Sequence, residues 1–298
     1  MAKVKVFNSS NEDVKKYVFE WEGEKPAIAE AVLYKYGTYE ERTVICCSVQ
    51  SGCPVKCSFC GTGGFFKRNL TSKEIVEQVV SVIEHIGMLQ KTSDIKKFQI
   101  MFMSMGEPFL NYEALRLAIV SLHGLFGNAQ LLVSTSAPAG ILDHFADFVR
   151  LSRRIDKVGL QFSVHESTDE NRKKLIPTAT STLRQIAILG ELWSAFIGRK
   201  PYYNYCVHEG NSDYVDAVRL TQMFRPDVWE TTLSVICEKD ESVKASIDRQ
   251  LSIIEQFAKY MVEHGASLRV FNPAGQDDIG GGCGQLWYYQ KWLGEHKE

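Results

Sequence analysis

The sequence lacks the long apolar runs that place a protein across a membrane. No uninterrupted apolar stretch approaches the roughly 20 residues that a helix needs to span a bilayer. The first 21 residues also contain no apolar segment of the kind found in secretory signals. We therefore expect a cytoplasmic protein with no membrane partner.

The sequence also lacks a net charge that would attract polyanions. It has 34 Lys and Arg against 36 Asp and Glu, a formal net charge of −2, so a nucleic-acid partner would have to meet a local basic surface. This balance counts mildly against a large RNA, since phosphate contacts dominate such affinity. The candidate basic runs are Lys67 and Arg68; Arg153, Arg154 and Lys157; and Arg172, Lys173 and Lys174. Taken alone, the last two runs are typical of solvated charges at helix ends.

No internal repeat, low-complexity tract or long Pro/Gly linker divides the 298 residues. From residue 42 onward, short runs rich in β-branched and aromatic residues alternate with amphipathic helical stretches. This alternation predicts a parallel sheet with right-handed crossovers, either doubly wound or curled into a barrel. The loops at the carboxyl ends of its strands are expected to share one mouth. The predicted strands are 42–50, 97–105, 130–137, 158–166, 201–209 and 230–237.

Eight cysteines in a chain without a secretory signal indicate metal or redox chemistry and not a disulfide framework. Cys53, Cys57 and Cys60 have the spacing C-x3-C-x2-C. Thiolates favour zinc, copper(I) or iron–sulfur clusters, and three thiolates on a cubane cluster leave one iron open to an outside ligand. The alternative is a zinc site with Cys46 or Cys47 as the fourth ligand, although their spacing matches zinc knuckles poorly.

The sequence around these cysteines resembles a known family. C-x3-C-x2-C with Phe59 before the third cysteine is similar to the signature of the radical S-adenosylmethionine (SAM) superfamily. Within it, six collinear blocks over about residues 30–287 resemble the RlmN/Cfr adenine methylases. The blocks are "CSVQSGCPVKCSFCGTG", "RNLTSKEIVEQV", "MSMGEPFLNYEAL", "STSAPAGI", "FSVHESTDENRKKLIP" and "DDIGGGCGQL".

The resemblance implies a fold and a chemistry. The fold would be α/β, a partial (β/α)6 radical-SAM barrel in residues 42–298, with a short N-terminal extension (1–41) and a C-terminal strand or loop that carries a catalytic cysteine. The enzyme would use a 4Fe–4S cluster, two molecules of SAM per turnover and an electron donor such as flavodoxin or ferredoxin. It would methylate an sp² carbon, C2 or C8, of an adenosine in ribosomal or transfer RNA through an S-methylcysteine.

The resemblance also assigns cofactor contacts. Cys53, Cys57 and Cys60 would hold the cluster. The positions that match SAM contacts of the family are Gly106, Glu107, Ser134, Ser136, Ser163, Val164 and His165. Among them, Glu107 would accept a hydrogen bond from the SAM ammonium. Without the resemblance, "STS" would be a polar strand end and His165 a core histidine with satisfied hydrogen bonds.

Three further residues match catalytic positions of the family. Cys283 in "GGGCGQL" would accept a methyl group from one SAM, after which a radical from a second SAM activates it. Cys46 would resolve the covalent protein–substrate adduct by taking a proton, which requires a thiolate and hence a pKa lowered by a nearby charge. Glu30 resembles an upstream proton-accepting glutamate. Cys47 would face the other side of the strand and pack there.

The chain departs from the family in ways that leave the substrate open. The stretch before Glu30 is much shorter than the family's N-terminal RNA-binding domain, a family asparagine near the sixth strand has no clean match, and "GQDDIGGGC" replaces the usual approach to the methyl-carrying cysteine. One alternative keeps the radical methylation but directs it at a nucleotide-like small molecule or natural product. Another, of a different class, is a zinc-stabilised nucleic-acid-binding module.

Overall fold

The strands of the described residues form one open sheet of ten, with a separate two-stranded ribbon. The computed structural model describes residues 2–63, 65–235, 243–271 and 279–280. The strands of the large sheet are β1 (Lys3–Asn8), β2 (Val14–Trp21), β3 (Ala27–Tyr36), β4 (Thr38–Cys47), β7 (Lys97–Phe102), β8 (Gln130–Thr135), β9 (Val158–Ser163), β10 (Tyr202–Val207), β11 (Glu230–Val235) and β12 (Leu268–Phe271). The ribbon pairs β5 (Gln50–Gly52) with β6 (Phe66–Asn69).

The sheet has an antiparallel part and a parallel part. From β1 to β4, each strand pairs antiparallel with the next. From β4 onward the neighbouring strands are parallel, in the order β4, β7, β8, β9, β10, β11 and β12. This confirms the predicted α/β class with a parallel sheet. The first three strands extend the same sheet. The predicted boundary at residues 41 and 42 falls inside β4, and the division into two domains stays a prediction.

Helices connect the parallel strands. They are α1 (Ser72–His85), α2 (Tyr112–Leu125), α3 (Leu142–Arg154), α4 (Asp169–Leu175), α5 (Leu183–Ile197), α6 (Tyr214–Met223) and α7 (Val243–Glu263). Thr71 and Glu74 form a capping box at the start of α1, which satisfies two of the backbone N–H groups that a helix start leaves unpaired. Within the part of the chain that the structure describes, every helix is too short or too polar to pass through a lipid bilayer.

The two faces of the parallel sheet have different chemistry. On β8 and β9, Val133 and Phe162 point into the apolar core, where Phe162 packs against Phe145 of α3 with ring centroids 6.2 Å apart. The alternating positions Ser134 and Ser163 point to the opposite face, as the two-residue period of a strand requires. We call this opposite, polar side the inner face.

The sheet curls around its inner face without closing. Lys97 on β7 and Arg269 on β12 are five strands apart, which in a flat sheet is about 24 Å at roughly 4.8 Å per strand. Charges at that separation are screened by salt, yet Arg269 lies close enough to lower the pKa of Lys97. The far edge of the sheet therefore bends back toward β7, while β1 and β12 remain its two edges.

Candidate active site

Glu107 ties the ends of two neighbouring strands together. It follows β7 and is almost fully buried, and four protein groups donate to its carboxylate. The donors to Oε1 are Phe109 N (3.0 Å) and Thr135 Oγ1 (2.6 Å), and the donors to Oε2 are Ser136 N (2.8 Å) and Ser136 Oγ (2.9 Å). An ionised carboxylate offers about four acceptor positions, so these four protein donors occupy the acceptor positions of Glu107. Burial raises the pKa of Glu107, although these four hydrogen bonds act in the opposite direction.

Gly106 is the residue that the turn before Glu107 requires. Its φ is +98°, a region that side chains other than glycine rarely adopt. An added Cβ would lie 2.5 Å from the Cβ of Gln50. Gln50 is also the acceptor of the Glu107 backbone N–H, at 2.8 Å, and donates to Asn69 on the ribbon. The "GEP" turn therefore packs directly against β5.

Ser134 and Ser163 begin a line of polar side chains across the inner face. Their hydroxyl oxygens are 3.5 Å apart, and Gln161 Nε2 donates to Ser134 Oγ at 3.3 Å. Farther along, Ser234 Oγ donates to Asn204 Oδ1 at 2.9 Å. A polar concave face next to Glu107 and Ser136 is chemically suited to a cofactor with amino, carboxylate and ribose groups.

The side chains of the next two predicted SAM contacts, Val164 and His165, are already engaged by other protein groups. The Val164 side chain is fully buried, so only its backbone can serve a ligand. His165 has a φ of +61°, and its Nδ1 accepts from Cys206 N at 3.3 Å. Burial, together with the charge of Arg172, lowers the pKa of His165 to about 3. His165 is therefore a neutral, hydrogen-bonded histidine at neutral pH.

The cysteine loop is attached to the strand ends through the chain that follows α4. Ser58 N donates to Leu175 O at 2.9 Å, and Thr178 Oγ1 donates to Val55 O at 2.6 Å. Phe59 is buried and meets the His165 ring edge-on, with centroids 5.3 Å apart. The aromatic residue of the motif thus anchors the loop on the end of β9.

The loop also folds tightly on itself. A Cβ on Gly63 would lie 2.5 Å from Cys57 O and 3.0 Å from Cys60 O, so only glycine fits there. Cys53 N donates to Phe65 O at 2.6 Å. This backbone packing fixes the three cysteines on one short loop beside Glu107.

The donor chemistry of the three thiols suits an iron–sulfur cluster. All three are partly exposed. Burial raises the pKa of Cys53 to about 12 and raises that of Cys57 further, so thiolates here need a bound metal to stabilise their charge. Among the described residues, no three His, Cys, Asp or Glu side chains are grouped around one ion position.

Arg172 is a site residue that the sequence pattern did not reveal. It belongs to one of the basic runs interpreted as solvated charges, but it is 2% exposed, so that interpretation is wrong for this residue. Burial lowers its pKa to about 10, which leaves it charged. All five of its N–H groups donate to the protein. The acceptors are the carbonyl oxygens of Val164 (3.1 Å), Ser136 (2.7 Å), Ser163 (3.0 Å) and Ser181 (3.2 Å) and the hydroxyl of Thr180 (2.6 Å).

These contacts make Arg172 the hub of the strand ends. Three of its acceptors are carbonyl groups of predicted SAM contacts after β8 and β9, and its charge acts on Cys57 and Glu107. The remaining two acceptors belong to the segment that also holds the cysteine loop through Thr178. A guanidinium group is suited to joining these strand ends, because its five donors lie in one plane and can bind several carbonyl groups at once.

Cys46 and Glu30 lie on the inner face, as diagonal neighbours. Cys46 on β4 pairs with Val32 on β3, and Glu30 lies two residues from Val32 on the same face. Diagonal neighbours of this kind are about 7–8 Å apart. Cys47 points the other way and is fully buried in the apolar core, which excludes it as a zinc ligand.

The charge environment of Cys46 differs from the expectation. Its surroundings raise its pKa to about 12, chiefly by desolvation, with a small opposing effect from the backbone at Met103. The expected lowering was wrong because no cation faces the sulfur among the described residues. Cys46 is therefore a thiol at neutral pH.

Glu30 has a cationic partner that the sequence analysis missed. Lys16 Nζ lies 3.2 Å from Glu30 Oε2, and both side chains are almost completely buried. The signal was present in the alternation of β2, because Lys16 shares a face with Val14 and Val18, which are buried. Cys283 lies outside the described residues.

Comparison with known proteins agrees with this geometry. No family model matches the chain. It is 31% identical over 272 residues to a probable dual-specificity RNA methyltransferase RlmN of Heliobacterium modesticaldum, covering 87% of this chain and 67% of that relative. It is 30% identical over 273 residues to one of Thermotoga petrophila, covering 90% of this chain and 74% of the relative.

A solved structure is similar over nearly the whole chain. A radical SAM methyltransferase from Sphaerobacter thermophilus superposes with a TM-score of 0.76 at 26% identity, covering 95% of this chain and 80% of that one. The resemblance drawn from the six sequence blocks is thereby confirmed. The chain belongs to the RlmN family and is a radical SAM methyltransferase.

Proposed function

We propose that this enzyme methylates C2 or C8 of an adenosine in ribosomal or transfer RNA, through an S-methylcysteine at Cys283. The observation that carries the proposal is the placement of the cysteine loop, Glu107 and the strand-end serines around one polar inner face that also contains Cys46 and Glu30. The names of the relatives, RNA methyltransferases of the RlmN type, support RNA as the substrate.

Each part of the site has a task in this proposal. Cys53, Cys57 and Cys60 would hold a 4Fe–4S cluster, and a flavodoxin or ferredoxin would be the electron donor. The loops that carry Glu107 and Ser136 and the inner-face serines bind SAM. When bound, the cluster and SAM supply the methyl group and the one-electron chemistry. That chemistry is needed because an sp² carbon of adenine is not nucleophilic enough to attack SAM directly.

Glu107 and Arg172 orient the binding loops. The four donors on the Glu107 carboxylate fix the turn after β7 against the end of β8. Arg172 fixes the ends of β8 and β9 against each other and against the segment that holds the cysteine loop. A site pre-ordered in this way needs little rearrangement when the cofactor binds.

Proton transfer is assigned to Cys46 and Glu30. The adduct between Cys283 and the adenine carbon must lose a proton before the product leaves, and Cys46 Sγ takes it. Because the pKa of Cys46 is raised to about 12, its thiol proton first has to pass to a base on the same face. Glu30 is the base on that face; as a diagonal neighbour of Cys46 it would receive the proton through a bridging water and not directly, and Lys16 compensates the charge of its buried carboxylate.

The proposal is tested with wild type and two cysteine variants. After reconstitution with iron and sulfide under anaerobic conditions, the wild type is expected to bind about four irons per chain and to cleave SAM when reduced. Cys283→Ala is expected to keep SAM cleavage and lose methyl transfer, because only the methyl carrier is gone. Cys47→Ala serves as the matched control, since Cys47 is buried in the apolar core on the opposite face of β4 from the proposed chemistry.

The readouts are the mass of the Cys283 peptide after exposure to SAM and methylation of RNA with or without an accessible adenosine. A peptide that never gains a methyl group, or a Cys283→Ala variant that still methylates RNA, contradicts the mechanism. Methylation of a free nucleotide but of no RNA contradicts the substrate assignment alone.

A further inference from the structure

Three cations meet on the inner face, at the opposite end of the strands from Glu107. Arg42 on β4 and Lys97 on β7 are direct partners on adjacent parallel strands. Arg269 on β12 shares this inner face, through the register that pairs Ser163 with Asn204, Asn204 with Thr232 and Thr232 with Arg269, and its positive charge lowers the pKa of Lys97. We call Arg42, Lys97 and Arg269 the cation cluster.

No carboxylate among the described residues forms an ion pair with the cation cluster. Arg42 instead donates to a neutral oxygen, Gln99 Oε1, from Nε at 3.2 Å and from Nη2 at 3.0 Å. Arg269 Nε donates to Thr232 Oγ1 at 2.9 Å. Polar neutral groups thus hold the two guanidinium groups in place, without neutralising them.

An acid on the same face, Glu230, is engaged elsewhere. Its carboxylate lies 3.5 Å from Lys200 Nζ and accepts from Ser267 Oγ at 2.6 Å. Among the residues that the structure describes, the cation cluster therefore keeps an excess of positive charge, and the nearby acid Glu230 has its own partners.

Fold stability does not explain this arrangement. Like charges directly opposite on neighbouring strands are destabilising, and the repulsion from Arg42 is the largest influence that lowers the pKa of Lys97. Cations at helix ends, such as Arg153 and Arg154 at the end of α3, are favoured by the helix dipole. Arg42, Lys97 and Arg269 are on strands and gain nothing from that effect. A bound anion would remove the repulsion.

Aromatic rings support both guanidinium groups. Arg42 lies over the Tyr36 ring at 4.3 Å from its centroid, and Arg269 over the Tyr202 ring at 4.9 Å. Tyr36 is 39% exposed, so part of its surface is available to a partner. Proteins that bind single-stranded nucleic acids combine cations with exposed aromatic rings: the cations bind phosphates and the rings stack on bases.

We propose that the cation cluster binds a backbone phosphate of single-stranded RNA. This rests on the RNA substrate of the proposed function and adds a contact to it. The cluster lies about 17 Å from the carboxyl end of β7, the length of a six-residue strand. The phosphate it holds thus belongs to a nucleotide a few positions along the strand from the target adenosine, and the contact serves affinity and register, without a role in methyl transfer.

The test is the salt dependence of RNA binding, measured by fluorescence anisotropy with a labelled single-stranded oligonucleotide. Each of Lys97→Gln and Arg269→Gln is expected to reduce the slope of log affinity against log salt by about 0.7, and to weaken binding about fivefold at 0.1 M salt, for every sequence alike. The control is Lys157→Gln, which removes a lysine of a sequence-predicted basic run outside the cluster and is expected to leave the slope unchanged.

A second arm uses inorganic pyrophosphate as the probe, by isothermal titration calorimetry. Binding to wild type that is lost in Lys97→Gln supports the anion site independently of RNA. Unchanged salt slopes in both cluster variants overturn the RNA contact, and pyrophosphate binding that survives both variants overturns the site itself.

Failure of the proposed function is distinguishable from failure of this inference. An RNA that binds with the expected slopes but is never methylated refutes the substrate and leaves the cation cluster standing. Circular dichroism and the melting temperature check folding, and Lys97→Gln is expected to melt no lower than wild type because it removes a repulsive charge.

Discussion

Replacing Arg172 with lysine tests whether a buried guanidinium holds the strand ends together. The sequence places Arg172 and Lys173 side by side in one basic run, whereas the structure buries the arginine and exposes the lysine. Lysine keeps the positive charge but offers three donors in place of five. At least two of the five hydrogen bonds of Arg172 are therefore lost, and their carbonyl acceptors stay buried.

The expected cost follows from those lost bonds. A buried hydrogen bond to a charged group contributes about 1.5–3 kcal/mol, so two of them predict a loss of about 3–6 kcal/mol. A domain has about 5–15 kcal/mol in total, so Arg172→Lys is expected to fold but to melt lower. At about 2 °C per kcal/mol for a chain of this size, the melting temperature should fall by about 6–12 °C.

The assay pairs thermal denaturation with SAM binding. Arg172→Lys is also expected to weaken SAM affinity, because the loops of Ser136 and Ser163 lose an anchor. The matched control, Lys173→Met, changes an exposed neighbour and should stay within about 0.5 kcal/mol of wild type. If Arg172→Lys melts like wild type, or no lower than Lys173→Met, the assignment of Arg172 as the hub is refuted.

Three further changes test other parts of the site. Gly63→Ala should reduce iron loading, measured by iron analysis after reconstitution, because its Cβ would meet the cysteine-loop backbone at 2.5 Å; Gly124→Ala, with open space around it, should load normally. The pKa of His165 is about 3 in the fold against an ordinary 6.5, so its contribution is complete above pH 6.5 and is lost as pH falls. Wild type should lose about 2 kcal/mol of unfolding free energy between pH 7 and pH 5 from this ring. His165→Asn, which keeps an acceptor and tolerates the positive φ, should show a flatter pH profile in urea denaturation; an equal slope contradicts the assignment. Lys16→Met should cost about 3–5 kcal/mol by removing the buried cation that compensates the Glu30 carboxylate, and adding Glu30→Gln should restore part of the melting temperature; a double variant less stable than the single one would show that the pair is not coupled.

The local pattern of the sequence was enough to predict the architecture. The strand starts at 97, 130, 158 and 230 and the capping box of Thr71 and Glu74 agree with the structure, because period-two and period-3.6 patterns and caps act over a few residues. The three-cysteine spacing and the six blocks were enough to identify the family. Strands β1 to β3 were not predicted, because charged residues interrupt their apolar positions.

Only the tertiary structure decided which charged residues are buried and what they contact. Arg172, Lys173 and Lys174 look alike in the sequence, yet the position of α4 against the ends of β8 and β9 turns the first into a five-bond hub and leaves the other two exposed. The raised pKa of Cys46 and the meeting of Arg42, Lys97 and Arg269 have the same origin. A residue's charge environment is set by groups that are distant in sequence and are brought together only when the sheet curls.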